Sequence, residues 1–343
     1  MSHLLEKFGY PSETHHVTTE DGYILTLERV PISKRNPDER RFDNSTNRER
    51  REGGSGDKLP IILLHGMISN GMQFLIAGPK RGLGFLCSDA GLDVWLLNHR
   101  GSQFSPGHIN PNIAPRQYWN FSFYETGIYD TLSAIDYVLE VTQKPKVHLL
   151  GYSMGASAGL IALSERPSYN DKVESLILMA PTTKMEHATT PLRYIAPYAE
   201  SIRYLFKELD MQYLPIGNLR TMSKFNKHVC NSPGLGVSLC RQFLYAFQGL
   251  PFPFNTSVFH VPGFFDVYPD YCSSKTLVHY FQHLRSGEYC LFDYGSRKNQ
   301  QIYNSTSPPM LDLSKVSTKT MIIYSPKDAF SNILLSIDRY PLL

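Results

Sequence analysis

The chain has 343 residues, 42% of them hydrophobic and 19% charged, with a net charge of +3. That length and apolar content fit one large globular domain, or one domain carrying a sizeable insertion, and exclude a disordered chain. The charge is too small to argue for nucleic acid, and no run of 18 or more apolar residues is present to span a membrane.

Residues 16–19 and 23–30, joined by Glu20-Asp21-Gly22, read as a β-hairpin. Residues 33–58 combine mixed charge and glycine with almost no apolar anchor, which predicts a flexible charged surface loop. Residues 59–64 form a continuous apolar run, as expected of a strand covered on both faces, and lead into His65-Gly66-Met67. A second such run, 91–98, ends in His99-Arg100-Gly101-Ser102. Ile128, Leu132, Ile135 and Leu139 fall at helical spacing and predict a helix over 121–142. Further strands are predicted at 147–150, 172–181 and 319–328.

Strands alternating with helices predict an α/β fold with a mostly parallel, doubly wound sheet. Between 181 and 319 that alternation stops, and Tyr, Phe and Pro become frequent. This region predicts a helical cap or lid over 183–312, above the carboxyl ends of the strands, between core segments 1–182 and 313–343. Its aromatic residues serve either the packing of the cap or an apolar channel for acyl chains.

The stretch that carries chemistry is Gly151-Tyr152-Ser153-Met154-Gly155, set between the strand at 147–150 and small residues at helical spacing. A bare G-x-S-x-G arises by chance roughly 0.1 times in a chain of this length, so its weight comes from the strand before and the helix after. In that context it is a nucleophile elbow, with Ser153 exposed at a sharp turn and the Met154 N–H available to an oxyanion. The loop His65-Gly66-Met67 supplies the second donor, the Met67 N–H. Serine needs an imidazole to take its proton and a carboxylate to orient that imidazole. Asp328, just past the last predicted strand, is at the right end of the sheet to be the acid. No metal or cofactor is called for.

Five cysteines, an odd count, do not make a disulfide scaffold, although Cys230 and Cys240 are close enough to clip one loop in an oxidising compartment. Acceptor triplets for N-glycosylation occur at Asn44, Asn120, Asn255 and Asn304, while the N-terminus lacks the apolar core of a secretory signal.

Taken together, these stretches resemble the acid lipase family, the gastric and lysosomal acid lipases and their insect relatives. The likeness runs through Tyr10-Pro11, Thr19 to Leu25, Leu63 to Met67, Arg100-Gly101, Tyr118 to Phe123 and Gly127 to Asp130. It continues through the elbow at Ser153, His283 to Glu288 and Phe292 to Gly295, covering nearly the whole chain. The resemblance implies an α/β-hydrolase with a cap and lid that cleaves fatty-acyl esters such as triglycerides or cholesteryl esters, secreted or lysosomal. It places the nucleophile on Ser153, the acid on Asp328, the oxyanion donors on Met67 and Met154, and a disulfide on Cys230 and Cys240. The implied partner is a lipid ester, met at a lipid–water interface; nothing in the sequence indicates the oligomeric state.

Three departures from the family pattern stand out. The elbow has Tyr152 and Met154 where the family usually has His and Gln, and Tyr324-Ser325-Pro326-Lys327 lacks the family's glycine- and asparagine-rich turn. The family's histidine follows the acid by a further helix and strand, and no histidine follows Asp328 here. The expectation is therefore a chain without its last strand and helix, with nucleophile, acid and oxyanion donors but no general base. The alternative function is a non-catalytic, lipid-binding homologue.

Overall fold

The computed structural model describes residues 1–31, 59–215, 267–326 and 328–331. The expected loop at 33–58 lies outside these, as do Asn44, Asn255, Cys230 and Cys240. The strands are β1 (Glu13–Thr18), β2 (Tyr23–Val30), β3 (Pro60–Leu64), β4 (Asp93–Asn98), β5 (Gly107–His108), β6 (Val147–Tyr152), β7 (Val173–Met179), β8 (Tyr213–Leu214), β9 (Cys272–Ser273) and β10 (Thr320–Ile323). The principal helices are α1 (Ser2–Lys7), α2 (Leu83–Asp89), α3 (Leu132–Thr142), α4 (Met154–Glu165), α5 (Ala199–Glu208), α6 (Ser274–Ser286) and α7 (Ser296–Tyr303).

The main sheet has the order β1-β2-β4-β3-β6-β7-β10, with β5 paired to β2. Strands β4, β3, β6, β7 and β10 are parallel, and the hairpin β1–β2 joins antiparallel at one edge. Strands β3 and β4 are buried along their whole lengths. Their continuous apolar runs follow from a sheet covered on both faces. Alternation divides them between two cores. Ile62 and Leu64 face Ala134, Ile135 and Val138 of α3 and Ala156 and Leu160 of α4. Ile61 and Leu63 face Leu5 of α1 and Phe74, Leu75 and Phe85 on the other side. Helix α4 is buried from Met154 to Ser164, which is why its residues are small or apolar on every side rather than along one stripe.

The helix expected over 121–142 is interrupted. Its first turn, Phe123–Glu125, has a capping box between Ser122 and Glu125, but Thr126–Thr131 is a π-helical segment before α3 begins. The strand expected over 319–328 is shorter, and Met321 and Ile323 point outward at 57% and 42% exposure. An apolar run alone could not distinguish an inner strand from one that is half-covered. From Ala180 to Thr318 the described residues hold 3₁₀ turns, helices α5 to α7 and the two-stranded ladder β8–β9. Helices α5 and α6 meet through Ala199, Ile202, Leu277 and Phe281.

One buried ion network fixes the sheet's hairpin edge to the π-helical segment. Arg100, 3% exposed, donates from Nε to Asp130 Oδ1 at 2.7 Å and from its backbone N–H to Asp130 Oδ2 at 3.0 Å. Its two terminal nitrogens donate to Asp21 at 2.6 and 2.9 Å, and the guanidinium lies 4.0 Å from the centre of the Tyr23 ring. Burial alone would raise the Asp130 carboxyl, but the Arg100 guanidinium overcomes it and holds it below its ordinary 3.8. The stabilisation is therefore complete above the ordinary carboxylate range and is lost as pH falls through the lowered value. Removing one member of such a pair leaves an uncompensated buried charge. We expect Asp130→Asn to cost about 3–5 kcal/mol in urea unfolding at pH 7, with the gap to wild type narrowing in acid below pH ~4.

Candidate active site

Strand β6 delivers the chain to Ser153, and α4 starts at the next residue. Ser153 has φ +52° and ψ −113°, a conformation that L-residues rarely hold. The surrounding contacts impose it. The Ser153 N–H donates to Met179 O of β7 at 2.9 Å, while its carbonyl accepts from Ala156 N and Ser157 N. A Cβ on Gly151 would lie 2.4 Å from the backbone of Gly155 and Ala156, and one on Gly155 would lie 2.2 Å from Leu64 O of β3. Only glycine permits that closeness, so both glycines of the motif serve the turn.

The second loop approaches from the end of β3. A methyl built on Gly66 would be 3.2 Å from the Tyr152 ring and 3.5 Å from Ser153 Cβ, so the loop after β3 packs closely against Ser153. Among the described residues, the N–H groups of Met67 and Met154 have no hydrogen-bond acceptor. Met154 opens a helix, where the dipole also favours negative charge. The side chains of Met67 and Met154 share one apolar cluster with Phe123, Tyr280, Tyr289 and Phe330. Met67, Ser153 and Met154 are thus brought together.

Asp328 sits on the turn after β10. Its Oδ1 accepts from Phe330 N at 2.8 Å and Ser331 N at 3.0 Å. The next carbonyl, Ala329 O, accepts from Thr189 N and Thr190 N, and Phe330 packs into the cluster that holds Met67 and Met154. Burial chiefly pushes the Tyr152 hydroxyl up, and the Asp328 charge adds to it.

No described imidazole is bonded to Ser153 or Asp328. His279 and His283, on α6, are fully buried and each bonds Cys290 O through Nε2, at 3.0 and 2.9 Å. They stack on or edge against Phe123, and burial pushes His283 down to about 4. His65 is also buried, with both ring nitrogens bonded to backbone. Asn120 and Asn304 are exposed, and Cys87, Cys272 and Cys290 are free thiols. No group of three or more His, Cys, Asp or Glu side chains among the described residues could hold a metal.

Two features of the site were not foreseen. Ile68 adopts φ +52°, a conformation that strongly disfavours a β-branched side chain, so no sequence signal points to it. Its carbonyl accepts from Asp270 N at 2.7 Å. The Asp270 side chain is fully buried and accepts from Asn70 Nδ2, Gln103 N and Tyr271 N at 2.7, 3.0 and 2.6 Å. It thereby ties the segment before β9 to the loop after β3.

A parallel sheet that ends in a strained strand–serine–helix turn defines an α/β hydrolase. Sequence comparison agrees. Residues 1–78 match the family model for a partial alpha/beta-hydrolase lipase region, and residues 60–207 match that for the alpha/beta hydrolase fold. Lipase 1 of Drosophila melanogaster is 33% identical over 330 residues, covering 95% of this chain, which spans 66% of that protein's length. Lipase 3 of the same fly is 30% identical over 332 residues, 94% of this chain and 78% of its own length. Gastric triacylglycerol lipase of Bos taurus is 29% identical over 339 residues, covering 97% and 79%. The chain belongs to the acid lipase family.

The Asp270 contacts generate a pH prediction. Burial chiefly raises its carboxyl to about 6, although Asn70, Tyr271 and Gln103 pull the other way. A carboxyl with a raised folded value binds more protons than the unfolded chain between ~4 and ~6, so its contribution to stability grows as pH falls through that window. In paired thermal melts, wild type should gain on Asp270→Asn by on the order of 2 kcal/mol between pH 7 and pH 4.5. A constant gap would refute it.

Proposed function

We propose that the chain is a lipase that hydrolyses fatty-acyl esters, triglycerides or cholesteryl esters, through an acyl-enzyme on Ser153. One observation carries this reading: the strained serine stands between two backbone N–H groups, those of Met67 and Met154, that lack an acceptor among the described residues. As Ser153 Oγ bonds to the acyl carbon, its proton passes to a base and the carbonyl oxygen takes negative charge between these donors. Collapse of that intermediate expels the alcohol, which takes the proton back; water then repeats the sequence and releases the fatty acid. Asp328 is the acid of the triad. Oδ1 is held by two backbone N–H groups, leaving Oδ2 to orient an imidazole that comes from outside the described residues.

The segments over 183–312 form the cap in this reading, and the apolar surface of α5 and the turns that lead into it supports its contact with a lipid–water interface. Tyr194, Tyr198, Tyr204, Leu205 and Leu209 are each more than half exposed, an unusual density of apolar side chains. A secreted or lysosomal location fits the names of the relatives and the exposed acceptor sites Asn120 and Asn304. Asn44 and Asn255 are the further glycosylation sites, and Cys230 and Cys240 the disulfide, of the same reading.

Two measurements test this function. A long-chain alkyl phosphonate ester should add once to the folded protein, read by intact mass, and Ser153→Ala should abolish the addition. Absence of addition to folded wild-type protein would refute an active nucleophile and leave a lipid-binding cleft. For the interface, Tyr198→Asp combined with Leu205→Asp should weaken adsorption to triglyceride emulsions by about 10-fold or more, given ~1.5–3 kcal/mol per buried apolar side chain. Labelling by a water-soluble phosphonate should stay unchanged in that variant.

A further inference from the structure

The loop that supplies the Met67 N–H is braced by a buried side chain to which the reading so far gives no task. His65 is 2% exposed and packs against the His99 ring at a centroid distance of 4.6 Å. Its Nε2 faces the backbone N–H of His99 at 3.0 Å. A backbone amide can only donate, so Nε2 must carry the lone pair, and in the neutral ring the proton then sits on Nδ1. Nδ1 is 2.8 Å from Gly66 O. The tautomer follows from the partners: Nδ1–H donates to the Gly66 carbonyl.

That carbonyl and the Met67 N–H belong to the same peptide plane. The bond is trans, since the cis bonds among the described residues are Leu214–Pro215 and Tyr268–Pro269. In a trans peptide the C=O and N–H point in opposite directions, so fixing one fixes the other. We propose that His65 is a positioning residue for ester cleavage: by holding Gly66 O it aims the Met67 N–H into the cleft, and His99 N–H sets the tautomer that lets it do so. The proposal rests on the assignment of Ser153 and Met67 to acyl transfer. A hydrogen bond accepted by the carbonyl also polarises the amide, making its N–H a stronger donor.

The surroundings keep this latch in one state. A proton on Nε2 would set two donors face to face, and burial together with the adjacent His99 ring lowers the His65 value well below its ordinary 6.5. Asp130 and Arg100 stand behind His99, with Asp130 Oδ2 3.6 Å from His99 Nδ1. Rotation of the peptide is resisted from the far side as well, where Gly66 N donates to Gln73 Oε1 at 3.1 Å and Ile68 O accepts from Asp270 N.

Two substitutions separate positioning from packing. Asn places its amide nitrogen where Nδ1 stands, so His65→Asn keeps a donor for Gly66 O. Gln reaches the Nε2 position and keeps a partner for His99 N, but gives no donor to Gly66 O. The rate of Ser153 phosphonylation is the readout, with the ³¹P resonance of the adduct reporting hydrogen bonding to the phosphoryl oxygen. Loss of one oxyanion donor costs about 10²–10³-fold. The expected result is a fall of at least about 10-fold and a displaced ³¹P resonance for His65→Gln, with His65→Asn within about 3-fold of wild type and its resonance unmoved. Equal rates and resonances in all three proteins would overturn the proposal, as would equal losses in both variants. Should either variant fail to fold, ¹⁵N-histidine spectra of wild type decide: an Nε2–H tautomer at His65 overturns the proposal, and an Nδ1–H tautomer coupled to the Gly66 carbonyl supports it. If wild type itself takes no label, the nucleophile assignment has failed, a distinct outcome from the insensitivity of labelled protein to residue 65.

Discussion

The buried Arg100 network is the constraint on which the rest of the molecule depends. It sits where three pieces of chain meet: the turn into β2 with the Tyr23 ring, the end of β4 and the π-helical segment before α3. Forked, bidentate geometry is what makes the junction work, because two carboxylates at different angles are satisfied by one planar group. Lysine, a point charge, could not hold both. The consequence reaches the chemistry through the backbone, since His99 immediately precedes Arg100 and its N–H is the group that sets the His65 ring. Anchoring Arg100 thus anchors the loop after β3 at one remove.

Backbone strain concentrates at the same end of the sheet. Ile68, Ser153 and Ala180 follow the ends of β3, β6 and β7, and all three adopt positive φ although none is glycine. Each is held by a hydrogen bond from a neighbouring element: Ile68 O by Asp270, Ser153 N by Met179 O, and Ala180 N by Ile323 O. Such conformations cost of order 1–3 kcal/mol each and persist only where the surroundings over-determine them. Three together, at the carboxyl ends of adjacent parallel strands, mark the rim where the chain gives up relaxed geometry beside Ser153.

The elbow and the loop after β3 were legible because their information is local: two glycines, a serine and the ends of apolar runs. The sheet was legible for a similar reason, as β3 and β4 announce their two-sided burial in continuous apolar sequence. Contacts made at long range were not legible. Asp21, Arg100 and Asp130 lie in stretches that resemble the family, yet nothing in each stretch says that they meet at separations of 79 and 30 residues. The π-helical segment was hidden because Ile128 and Leu132 keep helical spacing through it, and a one-residue widening changes hydrogen bonds more than it changes the apolar pattern. Asp270 was hidden among aromatic residues, where a lone carboxyl reads as a turn residue until its three donors are seen.

Those buried groups also set how the fold responds to acid, and they act in opposite directions. His283, held down to about 4, binds no proton in the folded state while the unfolded chain takes one below 6.5, so its burial costs increasing stability as pH falls from ~6.5 to ~4. His279 and His65, lowered by burial and by the neighbouring His283 and His99 rings, add to that cost. Asp270, raised to about 6, does the reverse across nearly the same window. One carboxyl cannot offset three imidazoles, so the net slope should favour unfolding in acid. Two of the three share a location: His279 and His283 both bond Cys290 O and pack on Phe123, joining α6 to the helical turn before the π segment. Protonation there would loosen α6 from Phe123 and the helical turn that carries it.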